Sequence, residues 1–235
     1  MTDDKTVNSG DLKKEVHRDF LACLKRENGL ASEELSLFNW YFKESETIFK
    51  QLSASQEMNL HNQQANCVED IDDSGSIPIQ YFIKRSRYSH IIYLCSIGEK
   101  FLSDACRRLS IALANNIPFS LEQLSGDKWE KKRLFLERYG YGRIPIPDEI
   151  WIPFRQIYTI RNDLVHENGS IAGKEFNKKT TAYKNIDGIS IIDNEIVIAE
   201  DFINNSAIAL TSFVDYVNGR INLAIDPAIN LKSAT

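Results

Sequence analysis

Three side chains within the hexapeptide Arg-Asn-Asp-Leu-Val-His at positions 161–166 suit chemistry on a phosphodiester: Arg161, Asn162 and His166. Arginine supplies a fixed positive charge and parallel N–H donors for phosphate oxygens, whereas histidine accepts and donates protons near neutral pH. Breaking a phosphodiester without a metal ion needs a proton acceptor for the attacking hydroxyl, a proton donor for the leaving oxygen and positive charge around the phosphorus. We therefore predict Arg161 and His166 as catalytic residues, with Asn162 in a supporting role.

The spacing predicts that the hexapeptide ends a helix that begins near Asp148, because Asn168-Gly169 follows it as a helix stop. Arg161 falls on an apolar stripe of this helix, which consists of Ile150, Phe154, Ile157 and Leu164. His166 lies about 140° around an ideal helix from Arg161, so the two side chains do not share a face. The long arginine side chain, a loosened last turn or a second copy of the helix can each bring them together. A second copy of the helix also supplies a second histidine, so we expect a homodimer with a composite site.

Glu99 is the predicted partner of the Arg161 guanidinium. It faces the apolar side of a long helix that is predicted over residues 84–115, so its carboxylate is aimed inward as the guanidinium is. A buried charge costs several kcal/mol unless it is paired, and one ion pair accounts for both residues. Asp163, in contrast, is predicted to be a surface residue.

The periodicity of apolar residues predicts an all-α helical bundle with one small β-hairpin. Changes in composition divide it into an N-terminal helical extension (1–62), a polar and acidic linker (63–77), a helical domain (78–226) and a C-terminal tail (227–235). The extension is predicted as a pair of helices that are separated at Asn28-Gly29, the second with Ser32 as its cap. In the helical domain, β-branched runs around Asp193-Asn194 predict the hairpin, and a regular apolar stripe predicts a last helix over residues 201–223.

Composition argues against several other classes of protein. The chain of 235 residues has a net charge of −5, which disfavours binding of nucleic acid through the overall field and leaves only local contacts. No stretch approaches the roughly 20 apolar residues of a membrane span, and the first residues lack the apolar core of a signal peptide. The cysteines and histidines have no metal-binding spacing. We therefore expect a cytoplasmic protein that has no membrane contact, no metal and no cofactor.

The Arg161-x4-His166 spacing, with the polar Asn162 after the arginine, resembles the signature of the HEPN (higher eukaryotes and prokaryotes nucleotide-binding) family. The order of predicted helices from about Ser76 to Asp226, with an inward acidic residue on the first and the motif at a helix end, is similar to that family as well. The resemblance implies a metal-independent endoribonuclease of the toxin or antiphage-defence type, with Arg161 and His166 as its site and the same pair from a second subunit completing it. It also implies an RNA substrate and allows for an antitoxin or regulatory protein as partner.

One alternative to the nuclease remains open from the sequence. A catalytically inactive HEPN-like module would keep the fold and the dimer and would bind nucleotide, RNA or a partner protein. Further contacts to RNA are predicted weakly at Arg143, Tyr141 and Lys132, where cationic groups and a ring can meet the backbone and a base. For these three residues, a solvated basic surface is the favoured interpretation.

Overall fold

The computed structural model describes residues 9–65, 79–112, 121–124, 126–138, 144–171 and 176–232. Within these ranges, side chains are described over 29–58, 61, 79–111, 121, 123–124, 126–138, 144–171 and 176–223. Six helices and one hairpin follow in chain order: α1 (Ser9–Ala65), α2 (Ile79–Ala112), α3 (Lys128–Arg138), α4 (Asp148–His166), α5 (Phe176–Tyr183), β1 (Ile189–Ile192), β2 (Glu195–Ile198) and α6 (Glu200–Lys232). A short 3-10 turn, Leu121–Gln123, precedes α3. The predicted all-α class with a small β-hairpin is confirmed.

The described residues form two compact units. The first consists of the described residues within 1–34, 97–151 and 211–235, and the second of those within 35–96 and 152–210. Helices α1, α2, α4 and α6 each contribute residues to both units. The hexapeptide, the hairpin and α5 all belong to the second unit.

The first unit has an aromatic core that also holds a buried arginine. Phe213 lies against both Phe101 and Trp151, with ring centroids 5.9 Å and 6.1 Å away. Nη2 of Arg108 donates to Oδ1 of Asn218 at 3.1 Å, so this buried guanidinium joins α2 to α6. At the N-terminus of α3, the side chain of Asp127 accepts hydrogen bonds from the backbone N–H groups of residues 129 and 130 and so caps the helix.

The second unit is organised around an antiparallel pairing of α1 and α2. Phe38 and Phe42 of α1 pack edge-on against the ring of His90 at 5.8 Å and 5.1 Å. Next to them, the buried carboxylate of Glu46 receives two hydrogen bonds from Arg87, at 3.0 Å from Nε and 2.6 Å from Nη2. Nη1 of Arg87 also donates to the carbonyl of Ile198 at 3.0 Å. A buried ion pair of this geometry fixes the alignment of the two helices and docks the hairpin against them.

The hairpin has the geometry that its sequence predicts. Strands β1 and β2 pair antiparallel with Ile189 opposite Ile198 and Ile192 opposite Glu195. Asp193 and Asn194 between them both have positive φ angles, 51° and 64°. Two consecutive left-handed residues define the type I′ turn whose twist suits a two-residue hairpin, and asparagine and aspartate tolerate that conformation.

The N-terminal prediction of two helices is wrong. Helix α1 continues through Asn28 and Gly29 for 57 residues. A single glycine inside a helix costs only about 1 kcal/mol relative to alanine, and the buried positions Ala31 and Leu35 continue the helical spacing after it. Residues 35–62 of the predicted extension belong to the same compact unit as the first half of α2.

Other boundaries are closer to the predictions. Helix α2 begins at Ile79 rather than Lys84. Helix α4 begins at Asp148, as predicted, with Pro153 inside it. The stripe of the last helix is confirmed, since six of its residues are buried: Ile203, Ala207, Leu210, Val214, Val217 and Ile221. Helix α6 extends to Lys232, into the segment that is predicted as a tail. Residues 66–78, most of the predicted linker, lie outside the described residues.

Two other properties bear on the predictions. Among the described residues, no helix has the length and apolar character that a bilayer crossing requires. Cys95 and Cys106 are free thiols in the interior, and burial raises the pKa of Cys106 to about 12. The side chains of the other two cysteines, Cys23 and Cys67, lie outside the described set.

Candidate functional site

The hexapeptide forms the last turn and a half of α4, as its sequence predicts. The buried face of this half of α4 consists of Phe154, Ile157, Ile160 and Leu164. Arg161 is half-buried, because the neighbouring Ile160 takes the innermost position at this level of the helix. The prediction that Arg161 faces the core is therefore only partly right. The guanidinium lies at the margin of the apolar face, where it remains accessible to solvent.

Asn162 is the hydrogen-bond partner of Arg161. Nη1 of Arg161 donates to the side-chain oxygen of Asn162 at 3.1 Å, and both side chains are half-buried. An amide oxygen that accepts from one edge of a guanidinium restricts its rotation and leaves its other N–H groups available for a ligand. Asn162 can therefore position the guanidinium of Arg161, and its supporting role in a reaction stays a prediction.

His166 is exposed at the C-terminus of α4. Among the described residues, no protein group forms a hydrogen bond with its imidazole. The side chain therefore does not cap the carbonyl groups that end the helix, which is the usual structural role of a histidine in the last turn. Both ring nitrogens are available to a ligand.

Asp163 anchors the hexapeptide, and its prediction as a surface residue is wrong. Its side chain is only 14% exposed and accepts a hydrogen bond from Nζ of Lys179 at 2.9 Å. The hydroxyl of Tyr183 donates to the other carboxylate oxygen. Burial, together with the hydrogen bond and negative charge of Asp163, raises the pKa of Tyr183, so the phenol stays protonated as the donor. Helix α5, which the periodicity did not predict, thus holds α4 at the residue next to Asn162.

The turn after His166 is equally well fixed. Asn168 and Gly169 have positive φ angles of 53° and 76°, and the N–H groups of Glu167 and Gly169 both donate to the carbonyl of Asp163. A Cβ on Gly169 would lie 2.5 Å from the hydroxyl oxygen of Tyr88. Only glycine fits here, because both the backbone conformation and the neighbouring ring exclude a larger residue.

The hairpin supports this turn from the other side. The N–H of Ile196 donates to the carbonyl of Gly169 at 2.8 Å, and the N–H of Ile171 donates to the carbonyl of Asn194 at 2.7 Å. The hydroxyl of Tyr88, from α2, donates to the carbonyl of Ile196. The hairpin is therefore a support for the end of the motif helix, in addition to being an insertion in the helical fold.

Positive side chains of α2 border the same turn. Nη1 of Arg85 donates to the side-chain oxygen of Asn168, two residues after His166. Lys84 forms an ion pair with Glu195 at the end of the hairpin. Arg85 is half-buried, and its hydrogen bond to Asn168 places a positive charge at the turn that follows His166.

Glu99 and Arg161 belong to different units, and each has a partner in its own unit. Oε1 of Glu99 accepts from Nζ of Lys128 at 2.7 Å, and its side chain is partly exposed. The ion pair between Glu99 and Arg161 stays a prediction. The prediction rests on the carboxylate of Glu99, which faces the apolar side of its helix, and the ion pair with Lys128 accounts for that carboxylate.

The three weakly predicted contacts to RNA have different outcomes. Lys132 is buried, and its ammonium group donates to the hydroxyl of Ser103 at 2.5 Å. Burial and the charge of Lys128 lower its pKa, whereas Glu99 and Cys106 oppose that shift. Its position inside the protein disfavours a contact with an RNA backbone, since burial aims the ammonium away from solvent. Tyr141 and Arg143 lie outside the described residues.

No group of three or more histidine, cysteine, aspartate or glutamate side chains that could hold a metal ion occurs among the described residues. The candidate site consists of Arg161, Asn162 and His166. Asp163 and Arg85 hold the end of α4 and the turn after it. Comparisons with protein-family models, with curated proteins and with solved structures each find no match to the chain. The function proposed for the chain rests on its own residues and their geometry.

Proposed function

We propose that this chain is a metal-independent endoribonuclease, and that Arg161 and His166 form half of a site that a second copy of the chain completes. The observation that carries the proposal is the contrast within one turn of α4. Asp163 and Leu164 fix the turn inside the protein, whereas His166 is exposed and makes no hydrogen bond with any described residue. A rigid helix end that presents a histidine and an arginine to solvent is suited to act on a ligand.

The reaction uses two proton transfers and one stabilised charge. A neutral imidazole accepts the proton of the 2′-hydroxyl while the 2′-oxygen forms a bond to phosphorus. A protonated imidazole donates a proton to the 5′-oxygen as the P–O5′ bond breaks. The products are a 2′,3′-cyclic phosphate and a 5′-hydroxyl. The guanidinium of Arg161, oriented by Asn162, stabilises the negative charge that develops on the non-bridging oxygens.

A two-fold dimer supplies the second histidine. Within one helix, Arg161 and His166 point about 140° apart, which places them poorly for joint action on one phosphate. Two antiparallel copies of the α4 end bring the histidine of each chain near the arginine of the other. The acid and the base are then equivalent side chains from two subunits.

The hydrogen bond between Arg161 and Asn162 also supports an active site over an inert one. The partner that the described residues of its own unit give Arg161 is neutral, the side-chain oxygen of Asn162. A neutral acceptor leaves the charge of the guanidinium for a phosphate. Such a nuclease, acting on cytoplasmic RNA, requires restraint, and an antitoxin or regulatory protein is the corresponding partner.

The test is RNA cleavage by purified protein in EDTA, which excludes contaminating metal-dependent nucleases. We expect His166→Ala to slow cleavage by about 10²- to 10⁴-fold, the usual contribution of one general acid or base. Arg161→Ala should reduce the rate by about 10²- to 10³-fold, as loss of a charge-stabilising donor does. His61→Ala and Arg138→Ala, at exposed positions on α1 and α3, serve as matched controls.

Three outcomes separate the alternatives. Inactivity of the wild type on structured and single-stranded RNA, or unchanged cleavage by both variants, contradicts the nuclease assignment. Tight binding of RNA without cleavage identifies the chain as a binding module. Slowing of growth on expression, relieved by His166→Ala, supports a toxin-like role.

A further inference from the structure

Two large aromatic side chains at the start of α2 are exposed to solvent. Tyr81 is 47% and Phe82 is 51% exposed, and their rings meet edge to face with centroids 6.5 Å apart. Large aromatic side chains gain most from burial, so an adjacent exposed pair suggests a surface that binds something.

Contacts through Arg85 join this pair to the site. The guanidinium lies 5.1 Å from the ring centroid of Tyr81 and 5.6 Å from that of Tyr88. Its Nη1 donates to the side-chain oxygen of Asn168, which lies in the turn after α4, two residues from His166. The contacts run continuously from the exposed ring of Tyr81 to the turn after α4, and all of these residues lie within the second unit.

The chemistry of this surface matches an unpaired nucleotide. Single-stranded RNA is recognised by stacking of its splayed bases on aromatic rings and guanidinium planes, with cationic groups at the phosphates. Bases inside an A-form duplex are already stacked and cannot reach such a surface. Because the chain has a net charge of −5, its overall field does not attract phosphate, and contact with a phosphate depends on arginine side chains at the binding surface.

We propose that Tyr81 and Phe82 form a stacking platform for an unpaired base of the RNA substrate, and that Arg85 binds the adjoining phosphate. The proposal rests on the proposed function of Arg161 and His166 and names its substrate class: single-stranded RNA or an unpaired loop. A base on the platform holds the neighbouring phosphate near the end of α4. Duplex RNA is then a poor substrate.

The experiment measures binding in a protein that does not turn over its substrate. His166→Ala is titrated into a single-stranded oligoribonucleotide that carries 2-aminopurine, whose fluorescence is quenched by stacking. A second oligonucleotide has an abasic site at that position. We expect quenching, and about 5- to 100-fold weaker binding of the abasic strand, which is the range for one stacked base.

Variants of the platform test the residues themselves. Tyr81→Leu combined with Phe82→Leu, in the His166→Ala protein, should remove the quenching and most of the preference for the intact strand. Tyr93→Leu is the matched control, since Tyr93 is 45% exposed on the same helix but lies 11 or 12 residues away. Thermal unfolding of each variant checks that the fold is retained. The abasic comparison tests the platform even where a variant fails to fold.

The outcomes separate this proposal from the function on which it rests. Equal affinity for intact and abasic strands overturns the platform, and so does a Tyr93→Leu variant that lowers binding as much as the double variant of Tyr81 and Phe82. In either case, cleavage of RNA by the wild type would leave the nuclease assignment standing. Platform-dependent binding without any cleavage by the wild type overturns the nuclease assignment and supports the platform. Failure of the protein to bind single-stranded RNA at all overturns the platform, and cleavage of duplex and single strands at equal rates does so as well.

Discussion

The hydroxyl of Tyr183 donates a hydrogen bond to the carboxylate of Asp163, which makes Asp163 the anchor of the hexapeptide. Lys179 contacts the other oxygen of the same carboxylate at 2.9 Å. Two residues of α5 thus hold α4 between Asn162 and Leu164. The rigidity of the proposed site therefore depends on a carboxylate that does not take part in the reaction.

Asp163→Asn tests this anchor. The substitution keeps the size of the side chain but removes the charge that pairs with Lys179. The NH₂ group of the new amide can also face the hydroxyl of Tyr183, and two donors that face each other form no hydrogen bond. We expect the free energy of unfolding to fall by about 1–3 kcal/mol, the range for a lost hydrogen bond to a charged group. Urea unfolding measures the change. Asp215→Asn, at an exposed carboxylate of α6, is the control and should have little effect; equal stability of the two variants would contradict the anchoring role.

The conformation of Gly169 provides a second prediction. Gly169→Ala introduces a Cβ 2.5 Å from the Tyr88 hydroxyl oxygen and forces alanine into a φ of 76°. Left-handed backbone alone costs a residue other than glycine about 1–2 kcal/mol, and the steric overlap adds to that. We expect a loss of stability above about 2 kcal/mol and reduced cleavage of RNA.

Gly219→Ala is the opposite case and serves as the control. Gly219 lies inside α6, and nothing approaches within 4 Å of the position that its Cβ would occupy. Alanine is favoured over glycine in a helix by about 1 kcal/mol, so this variant should be as stable as the wild type or more stable. If Gly169→Ala were as stable as Gly219→Ala, the turn after His166 would have to accommodate a Cβ at position 169 at no cost, which would contradict the prediction.

Much of the fold could be predicted from local sequence. The stop at Asn168-Gly169, the turn at Asp193-Asn194 and the apolar stripe of α6 are signals within a few residues of the structure they specify. Asp163 could not be placed in this way, because its partners Lys179 and Tyr183 lie 16 and 20 residues further along the chain. Their helix, α5, has too few apolar positions to be predicted by periodicity.

The errors in the sequence predictions have related causes. Asn28-Gly29 predicts a helix end, yet one glycine costs less than the continued burial of Ala31 and Leu35 contributes. The spacing places Arg161 on the apolar stripe, but the stripe shifts by one residue to Ile160 at the end of α4. The partner that the structure gives Glu99, Lys128, lies on another helix, where spacing within one helix does not reveal it, and the pair of Glu99 with Arg161 stays a prediction. The catalytic roles of Arg161 and His166, which rest on residue type, spacing and the resemblance, stay predictions as well.

A pH dependence of stability is expected from His90. Burial lowers the pKa of this histidine; the charge of Glu46 opposes the shift and that of Arg87 adds to it. The unfolded state therefore binds the proton more readily than the folded state. The stability that neutral His90 contributes is fully present above its unfolded pKa of about 6.5 and is lost as the pH falls through its folded-state pKa.

Urea unfolding between pH 7 and pH 5 measures this effect in the wild type and in His90→Phe. We expect the wild type to lose stability with a slope of at most about 1.4 kcal/mol per pH unit from this one group. The phenylalanine variant keeps the ring against Phe38 and Phe42 but has no proton to bind, so its slope should be smaller by that amount. Identical slopes would show that His90 is not protonated on unfolding.

The composite site predicts that one inactive subunit disables a whole dimer. Wild-type protein mixed with an excess of His166→Ala, and allowed to exchange subunits, forms dimers with a single histidine, which lack either the acid or the base. We expect the mixture to cleave RNA more slowly than the same amount of wild-type protein without the variant. Sedimentation of the wild type, in the range of concentrations where it is active, gives its oligomeric state. A fully active monomer would contradict the composite site, and so would a mixture in which the wild type keeps its full activity.

The chemistry of the cleaved ends tests the central proposal most directly. RNA is incubated in EDTA with the wild type and with His166→Ala, and the new 3′ ends are identified by mass spectrometry. Transfer of the 2′-hydroxyl proton to His166 predicts 2′,3′-cyclic phosphate ends and 5′-hydroxyl ends, at a rate that the variant lowers by about 10²- to 10⁴-fold. Products that end in a 3′-hydroxyl, equal cleavage by the variant, or no cleavage by the wild type of either single-stranded or structured RNA would contradict it.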